Sequence, residues 1–398
     1  MYTIDAMPVH YSYCPDFDSK EFPGVKALVY DGMNIGDKKT KVFAYIGFPK
    51  NKTAPVPAIV LVHGGGGHAY AEWVSHWNAQ GFAAIAMDTT GYYPDLEKGW
   101  CYGLHGIWSN DSYVNAPDND GSMVHGVDSE ISRNWLYHAV ADAMIARKII
   151  ASFEEVDETR IGICGISWGA IITSLVIGHD PDFAFAIPIY GSGYLGPEHT
   201  LGSIAQSFSH ESVRNRWLAE ERFQNVKIPV LWLCWNDDSS FSIQANTASY
   251  LATCNGNSKT RISIVHNMYH GHIAGWSRYE SFAFAKSIVF GGVSLPKLQN
   301  QPVGRDFTVN IDYVGDFAAA AYYITAPMTY SLHNKFGRKE HTYMDQTWNV
   351  ISCEIDPDTH QVTGVLPADA VGYYLEIKTL IDDKEFIVTS GYTVISNN

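Results

Sequence analysis

From about residue 55 to residue 290 the chain alternates between short apolar runs and longer stretches with apolar positions three or four apart. The runs lie near 58–62, 83–87, 160–164, 184–189, 229–235 and 261–265. Apolar residues with no polar alternation are what strands buried on both faces require, which is the condition of a parallel sheet. Between them, residues from Glu130 to Ser152 place Leu136, Ala139, Ala143, Ala146 and Ile150 on one face, predicting a core-facing helix. Strand–helix alternation on this scale predicts an α/β fold with a mostly parallel central sheet and helices on both faces. Ahead of it, Val25–Tyr30 and Lys41–Ile46, separated by the turn signals Asp31-Gly32 and Gly36-Asp37, predict antiparallel strands that open the sheet.

The pattern changes at Gly291-Gly292-Val293-Ser294-Leu295-Pro296. Beyond it helical spacing vanishes, and the runs Phe307–Ile311, Ala320–Ile324, Trp348–Ser352, Tyr373–Ile377 and Phe386–Thr389 read as short strands between turn clusters such as Asp356-Pro357-Asp358. These predict a small β-sandwich. The expected division is a catalytic domain over 1–296 and a C-terminal sandwich over 297–398. All candidate catalytic residues precede Gly291, so removing the C-terminal module is expected to affect stability more than chemistry. Two segments interrupt the alternation. Residues 88–129 are rich in Gly, Asp, Tyr and Trp and are too long for a plain connection, so the stretch from Gly91 to Gly126, with Tyr92, Tyr93, Trp100, Tyr102 and Trp108, is expected to shape an acyl pocket. Residues 192–227 form a second excursion, read as a lid or as surface; Tyr190 and Tyr194 beside it are candidate substrate-binding residues.

The chemistry is concentrated at the ends of the runs. Gly165-Ile166-Ser167-Trp168-Gly169 sits between a predicted strand and a predicted helix. Small residues on both sides of a serine at such a junction permit a turn tight enough to lift the hydroxyl clear of the sheet, with the N-terminus of the next helix behind it. The run 58–62 leads into His63-Gly64-Gly65-Gly66-Gly67-His68, whose unobstructed backbone amides suit an oxyanion hole. No Lys-Ser/Thr follows those glycines, so a phosphate-binding P-loop is not indicated. The next elements in order supply an acid and a base. The run 229–235 ends in Asn236-Asp237-Asp238, of which Asp237 is the expected acid and Asp238 its competitor. The run 261–265 is followed by His266-Asn267-Met268-Tyr269-His270-Gly271-His272, with His270 the expected base and His272 the alternative. The same histidines invite a metal reading, but no helical H-E-x-x-H or matched cysteine set accompanies them, and no metal is expected.

These segments, together with Glu72-Trp73, Trp77-Asn78 and Gly81–Asp88, resemble the α/β-hydrolase superfamily, and most of all its dienelactone-hydrolase and acetyl-xylan-esterase-like branch. The resemblance spans about residues 55–290. It implies the α/β-hydrolase fold, with Ser167 as nucleophile, Asp237 as acid, His270 as base, the amides of Gly65 and Trp168 as oxyanion donors, and no cofactor. The implied activity is serine-esterase hydrolysis of short-chain, acetyl-type esters, including those of carbohydrates. A serine peptidase of the prolyl-oligopeptidase type and a non-catalytic binding protein on a hydrolase fold are the alternatives.

Bulk properties narrow the partners. With 27 Lys and Arg against 42 Asp and Glu, the net charge of −15 disfavours nucleic acid and anionic membranes. No apolar run reaches the ~18 residues of a membrane span. The first residues show neither the basic nor the apolar region of a signal peptide. A cytoplasmic enzyme, or a secreted one whose signal is absent from this sequence, is expected, acting on a small ester or acylated carbohydrate; a homo-oligomer is compatible. The six cysteines show no metal spacing, and Cys164 and Cys234 fall within apolar runs where packed thiols are expected.

Overall fold

Val56–Val62 (β4) carries no charge, and every side chain from Ala58 to Val62 is fully buried. In the computed structural model it lies inside the sheet, as its sequence requires. The structure describes residues 4–395 except 5, 35–38, 51–53, 96–98, 103–130, 132–133, 197–199, 201, 210, 239, 327–329, 336–337 and 344–346. Contacts divide the chain into two units, Met1–Gly191 with Ser209–Ile228, and Ser192–Phe208 with Pro229–Asn398. The change of pattern at Pro296 therefore falls inside the second unit.

In the first unit, β1 (Tyr11–Tyr13), β2 (Lys26–Asp31) and β3 (Lys41–Gly47) form the expected antiparallel opening. The sheet continues in the order β1-β2-β3-β5-β4-β8-β9, with β5 at Ala83–Met87, β8 at Val156–Ile166 and β9 at Phe185–Ile189. Neighbours from β5 to β9 run parallel. A hairpin pairs β6 (Tyr92–Asp95) with β7 (Gly99–Tyr102); the remainder of the expected pocket-forming loop, Trp108 included, lies outside the described residues. Helix α1 (Ala71–Ala79) buries Trp73, Val74 and Trp77. Helix α2 (Trp135–Ala151) starts later than its apolar spacing suggests, because the Asn134 side chain accepts the Leu136 amide at 3.0 Å and caps it. Helix α3 (Trp168–His179) is buried at every residue from Trp168 to Ile177, so it is a core element with no solvent face.

In the second unit, β10 (Leu231–Trp235) and β11 (Arg261–Val265) pair in parallel. The excursion after β9 contributes α4 (Gly202–Ser207) to this unit and α5 (Glu211–Trp217) to the first. Helices α6 (Ile243–Cys254), α7 (His272–Trp276) and α8 (Tyr279–Val289) complete the α/β part. Beyond it come two antiparallel sheets. One orders β12 (Lys297–Leu298), β13 (Asp306–Asp312), β19 (Gln361–Val365) and β18 (Glu354–Asp356) as β12-β13-β19-β18. The other runs β17-β14-β20-β21, from β14 (Ala318–Ile324), β17 (Asn349–Ser352), β20 (Gly372–Ile381) and β21 (Lys384–Thr389), with β22 (Thr393–Val394) also on β20. A separate hairpin pairs β15 (Tyr330–Lys335) with β16 (Arg338–Tyr343). Strand β13 alternates, burying Phe307, Val309 and Ile311 and exposing the residues between, as one face on a core demands. Phe307 stacks on Tyr373 of β20 with centroids 5.2 Å apart.

This antiparallel module is attached to the α/β part of its unit by polar backbone contacts as well as by packing. Thr389 Oγ1 accepts the Ile264 amide of β11 at 3.1 Å, Thr247 Oγ1 accepts the Tyr392 amide at 2.8 Å, and buried Arg261 donates from Nε to the Pro296 carbonyl at 2.8 Å. Among the described residues no helix is long and apolar enough to cross a membrane.

Candidate active site

Ser167 occupies the turn between β8 and α3 with φ 57° and ψ −116°, a conformation that L-residues avoid. Such strain costs on the order of 1–3 kcal/mol and persists only where the surroundings enforce it. Here they do. The Ser167 amide donates to Ile189 O at 3.0 Å, and its carbonyl accepts the Ala170 and Ile171 amides at 2.8 and 3.1 Å, starting α3. A Cβ at Gly165 would fall on the Gly169 carbonyl, and one at Gly169 on the Val62 carbonyl, so no other residue fits either position. The serine side chain is left half-buried above the strand ends while its neighbours Ile166 and Trp168 are buried. Trp168 is the first residue of α3, where amides point outward along the helix axis.

The glycine loop lies alongside. A Cβ at Gly65 would stand 3.0 Å from Cδ1 of Trp168, so the two expected oxyanion donors are neighbours. Gly65 is exposed, and its amide makes no hydrogen bond among the described residues. The turn is closed by the Gly67 amide donating to Gly64 O at 3.1 Å. His63, which the sequence offered only as part of the motif, holds the loop from beneath. Its Nε2 accepts the Thr89 amide at 3.0 Å, which puts the ring proton on Nδ1, 2.7 Å from Gly64 O. Thr89 is fixed in turn, its carbonyl accepting from Trp135 Nε1 at 2.6 Å, and the Trp135 indole meets that of Trp168 edge-on at 5.6 Å.

In the second unit the geometry corrects the expected acid. His270 Nδ1 lies 2.7 Å from Asp238 Oδ2, whereas Asp237 turns elsewhere. Asp238 is buried, and its other oxygen accepts the Ser240 and Phe241 amides at 2.7 and 2.9 Å. Those two amides and the imidazole nitrogen give the buried carboxylate three hydrogen-bond partners. Asp237 instead accepts the Trp348 indole N–H at 2.7 Å and the Asn236 amide group at 3.0 Å. The physical reason is the length of the turn: β10 ends at Trp235, and one more residue is needed before the side chain faces the histidine. The cap of α6 is Ser242, whose Oγ takes the Ala245 amide. His270 is partly exposed and lies parallel to the Phe241 ring. The alternative histidines are placed differently: His272 begins α7, beside Trp276, and His266 packs on Tyr322 at 5.0 Å, burial lowering its pKa.

The candidate pocket-wall tyrosines differ from each other. Tyr190 is fully buried with φ 29° at the end of β9, while Tyr194 is half-buried, its carbonyl accepting from Ser192 Oγ at 2.8 Å.

A mostly parallel sheet with helices, a strained serine at the turn into a buried helix and a glycine loop beside it define the α/β-hydrolase fold. More particularly, residues 9–194, which contain both the glycine loop and Ser167, match the model of the acetyl xylan esterase (AXE1) family. Among solved structures, the chain is similar to an acetyl xylan esterase from Paenibacillus sp. R4, at 20% identity and a TM-score of 0.52 over 72% of this chain and 91% of that one. It is similar to acetyl xylan esterase 1 from Thermoanaerobacterium sp. JW/SL YS485 at 15% identity and a TM-score of 0.51, over 72% and 91%. An acylaminoacyl peptidase from Pyrococcus horikoshii matches at 17% identity and a TM-score of 0.50, over 68% of this chain but 43% of that one. At these identities the structural likenesses speak for the fold.

Proposed function

We propose that this protein is a serine carboxylic-ester hydrolase that works through an acyl-enzyme on short-chain, acetyl-type esters, with acylated carbohydrate as the natural substrate class. The observation that carries the reading is Ser167, held at φ 57° by a turn that tolerates only glycine two residues away on either side. In the proposed reaction His270 Nε2 takes the hydroxyl proton as Oγ attacks the acyl carbonyl. Asp238 holds the ring with Nδ1 protonated and stabilises the imidazolium. The carbonyl oxygen gains its negative charge against the amides of Gly65 and Trp168. The imidazolium then protonates the departing alcohol, and a water deprotonated by His270 hydrolyses the acyl-enzyme. As written, the cycle calls on no metal and no organic cofactor. The acetyl preference and the carbohydrate alcohol are supported by the family match over residues 9–194.

Ser167→Ala tests the reading. The variant is expected to fold and to lose turnover of p-nitrophenyl acetate by roughly 10³-fold or more. Turnover near that of the unmodified enzyme would end it. A panel running from p-nitrophenyl acetate to octanoate, with acetylated xylo-oligosaccharides and aminoacyl amides beside it, tests the substrate class. Preference for the amides would make the protein a peptidase.

A further inference from the structure

Two adjacent carboxylates follow β10, and Asp238 is the one hydrogen-bonded to His270. What commits the other lies in the antiparallel module of the same unit. Trp348, immediately before β17, donates its indole N–H to Asp237 Oδ1 at 2.7 Å, across 111 residues of sequence. The indole is itself wedged among aromatics. It meets Tyr374 of β20 at 5.2 Å and 60°, and Tyr392 at 6.2 Å and 79°. Tyr374 is fully buried and stacks flat on Tyr322 of β14 at 5.3 Å, and Tyr322 meets His266 at 5.0 Å. Buried Asn236 closes the set, donating to Asp237 Oδ2 at 3.0 Å while its nitrogen lies 3.3 Å from His266 Nδ1. Both oxygens of Asp237 are thus held, Oδ1 by the Trp348 indole and Oδ2 by Asn236.

We propose that Trp348 is a positioning residue for catalysis: by fixing Asp237, the C-terminal module sets the turn 236–238 and so presents Asp238 to His270. The inference rests on the reading that His270 serves Ser167 as base. An indole N–H on a short stem, locked by two aromatic contacts, is a donor with little freedom, so the bond fixes direction as well as distance. Without it, Asp237 is a second carboxylate on a short turn, able to compete for the same imidazole or to repel the carboxylate that holds it. The C-terminal module then contributes to the rate through the turn that it fixes.

The test is a kinetic cycle on the full-length enzyme with p-nitrophenyl acetate, the fraction of reactive sites being counted by fluorophosphonate titration. Trp348→Phe, which keeps an aromatic ring and removes the N–H, should lower kcat about tenfold with KM changed by less than about twofold. Asp237→Ala should give a similar loss, and Asp237→Asn, which keeps an acceptor for the indole, a smaller one. The double variant Trp348→Phe/Asp237→Ala should lose no more than the worse single variant, because both remove one interaction. Multiplicative losses would overturn the proposal, as would an unchanged kcat in Trp348→Phe or an Asp237→Asn loss as deep as that of Asp237→Ala. If Trp348→Phe yields no titratable sites, the Asp237→Ala against Asp237→Asn comparison decides alone. Ser167→Ala is run in parallel: turnover there would remove the underlying reading, whereas an inactive Ser167→Ala with multiplicative losses would remove this proposal only.

Discussion

Asp238 and Asp237 differ by one position and have opposite surroundings. Asp238 is buried, bonded to two backbone amides and to His270; Asp237 is half-buried and bonded to Trp348 and Asn236. Asp238→Asn is therefore expected to reduce kcat by about 10²-fold or more, since an amide can set the wrong imidazole tautomer. Single-turnover acylation of p-nitrophenyl acetate measures it, and a loss confined to Asp237→Asn would return the acid role to that residue. The pair also marks where residue-level reading ends. Ser167 and the glycine loop were legible because their glycines answer a steric demand that is local in sequence. The acid was not, since the discriminating contact on Asp237 comes from Trp348, far along the chain. The one local signal was Ser240-Phe241, whose amides fold back on Asp238 as in an Asx turn.

At the level of elements, the buried strands announced themselves. Strands β4, β5, β8, β9, β10 and β11 all contain the apolar runs, because a strand covered on both faces favours apolar side chains; the charges of β8 and β11 stand at their first residues, up to Arg160 and at Arg261. The strands that escaped notice are rich in polar residues or carry a glycine. The β15–β16 hairpin reads Tyr-Ser-Leu-His-Asn-Lys and Arg-Lys-Glu-His-Thr-Tyr, and β19 contains Gly364, against which the Phe307 ring lies. Pairing partners rather than hydrophobicity define such strands. Strand β11 shows a further device. Thr389 Oγ1 accepts the Ile264 amide on the edge facing β21 and lies 3.4 Å from Ile262 O, so one hydroxyl serves a donor and an acceptor of that edge. Thr389→Val keeps the shape and removes the acceptor. It should destabilise the protein by about 1–3 kcal/mol, the usual cost of a buried amide left without a partner, and urea denaturation should show it. A midpoint unchanged within error would mean that the edge finds another partner.

At the level of the whole molecule, the expected boundary after Pro296 identifies a change of architecture rather than an independent piece. Contacts assign 229–398 to one unit, and Arg261, Thr247 and Ile264 on one side of that boundary bond to Pro296, Tyr392 and Thr389. Ending the chain after Pro296 strips β11 of its cover and leaves the apolar surface facing the module exposed. The shortened protein should be largely insoluble, and any soluble fraction should turn over p-nitrophenyl acetate slowly for want of Trp348. Full activity in a soluble truncated enzyme would show that the catalytic part stands alone.

The hydroxyl that covers β11 also bears on how the protein is made. Thr389 follows Ile264 by 125 residues, and a ribosome adding about 5–20 residues per second needs roughly 6–25 s to deliver it. Through that interval the nascent chain carries an uncapped parallel edge strand, a template for pairing with other chains. Translation that stalls or stops before β21 leaves this edge sticky, so the yield of soluble enzyme in a cell should depend on synthesis speed and on chaperones that shield the growing chain until β21 emerges.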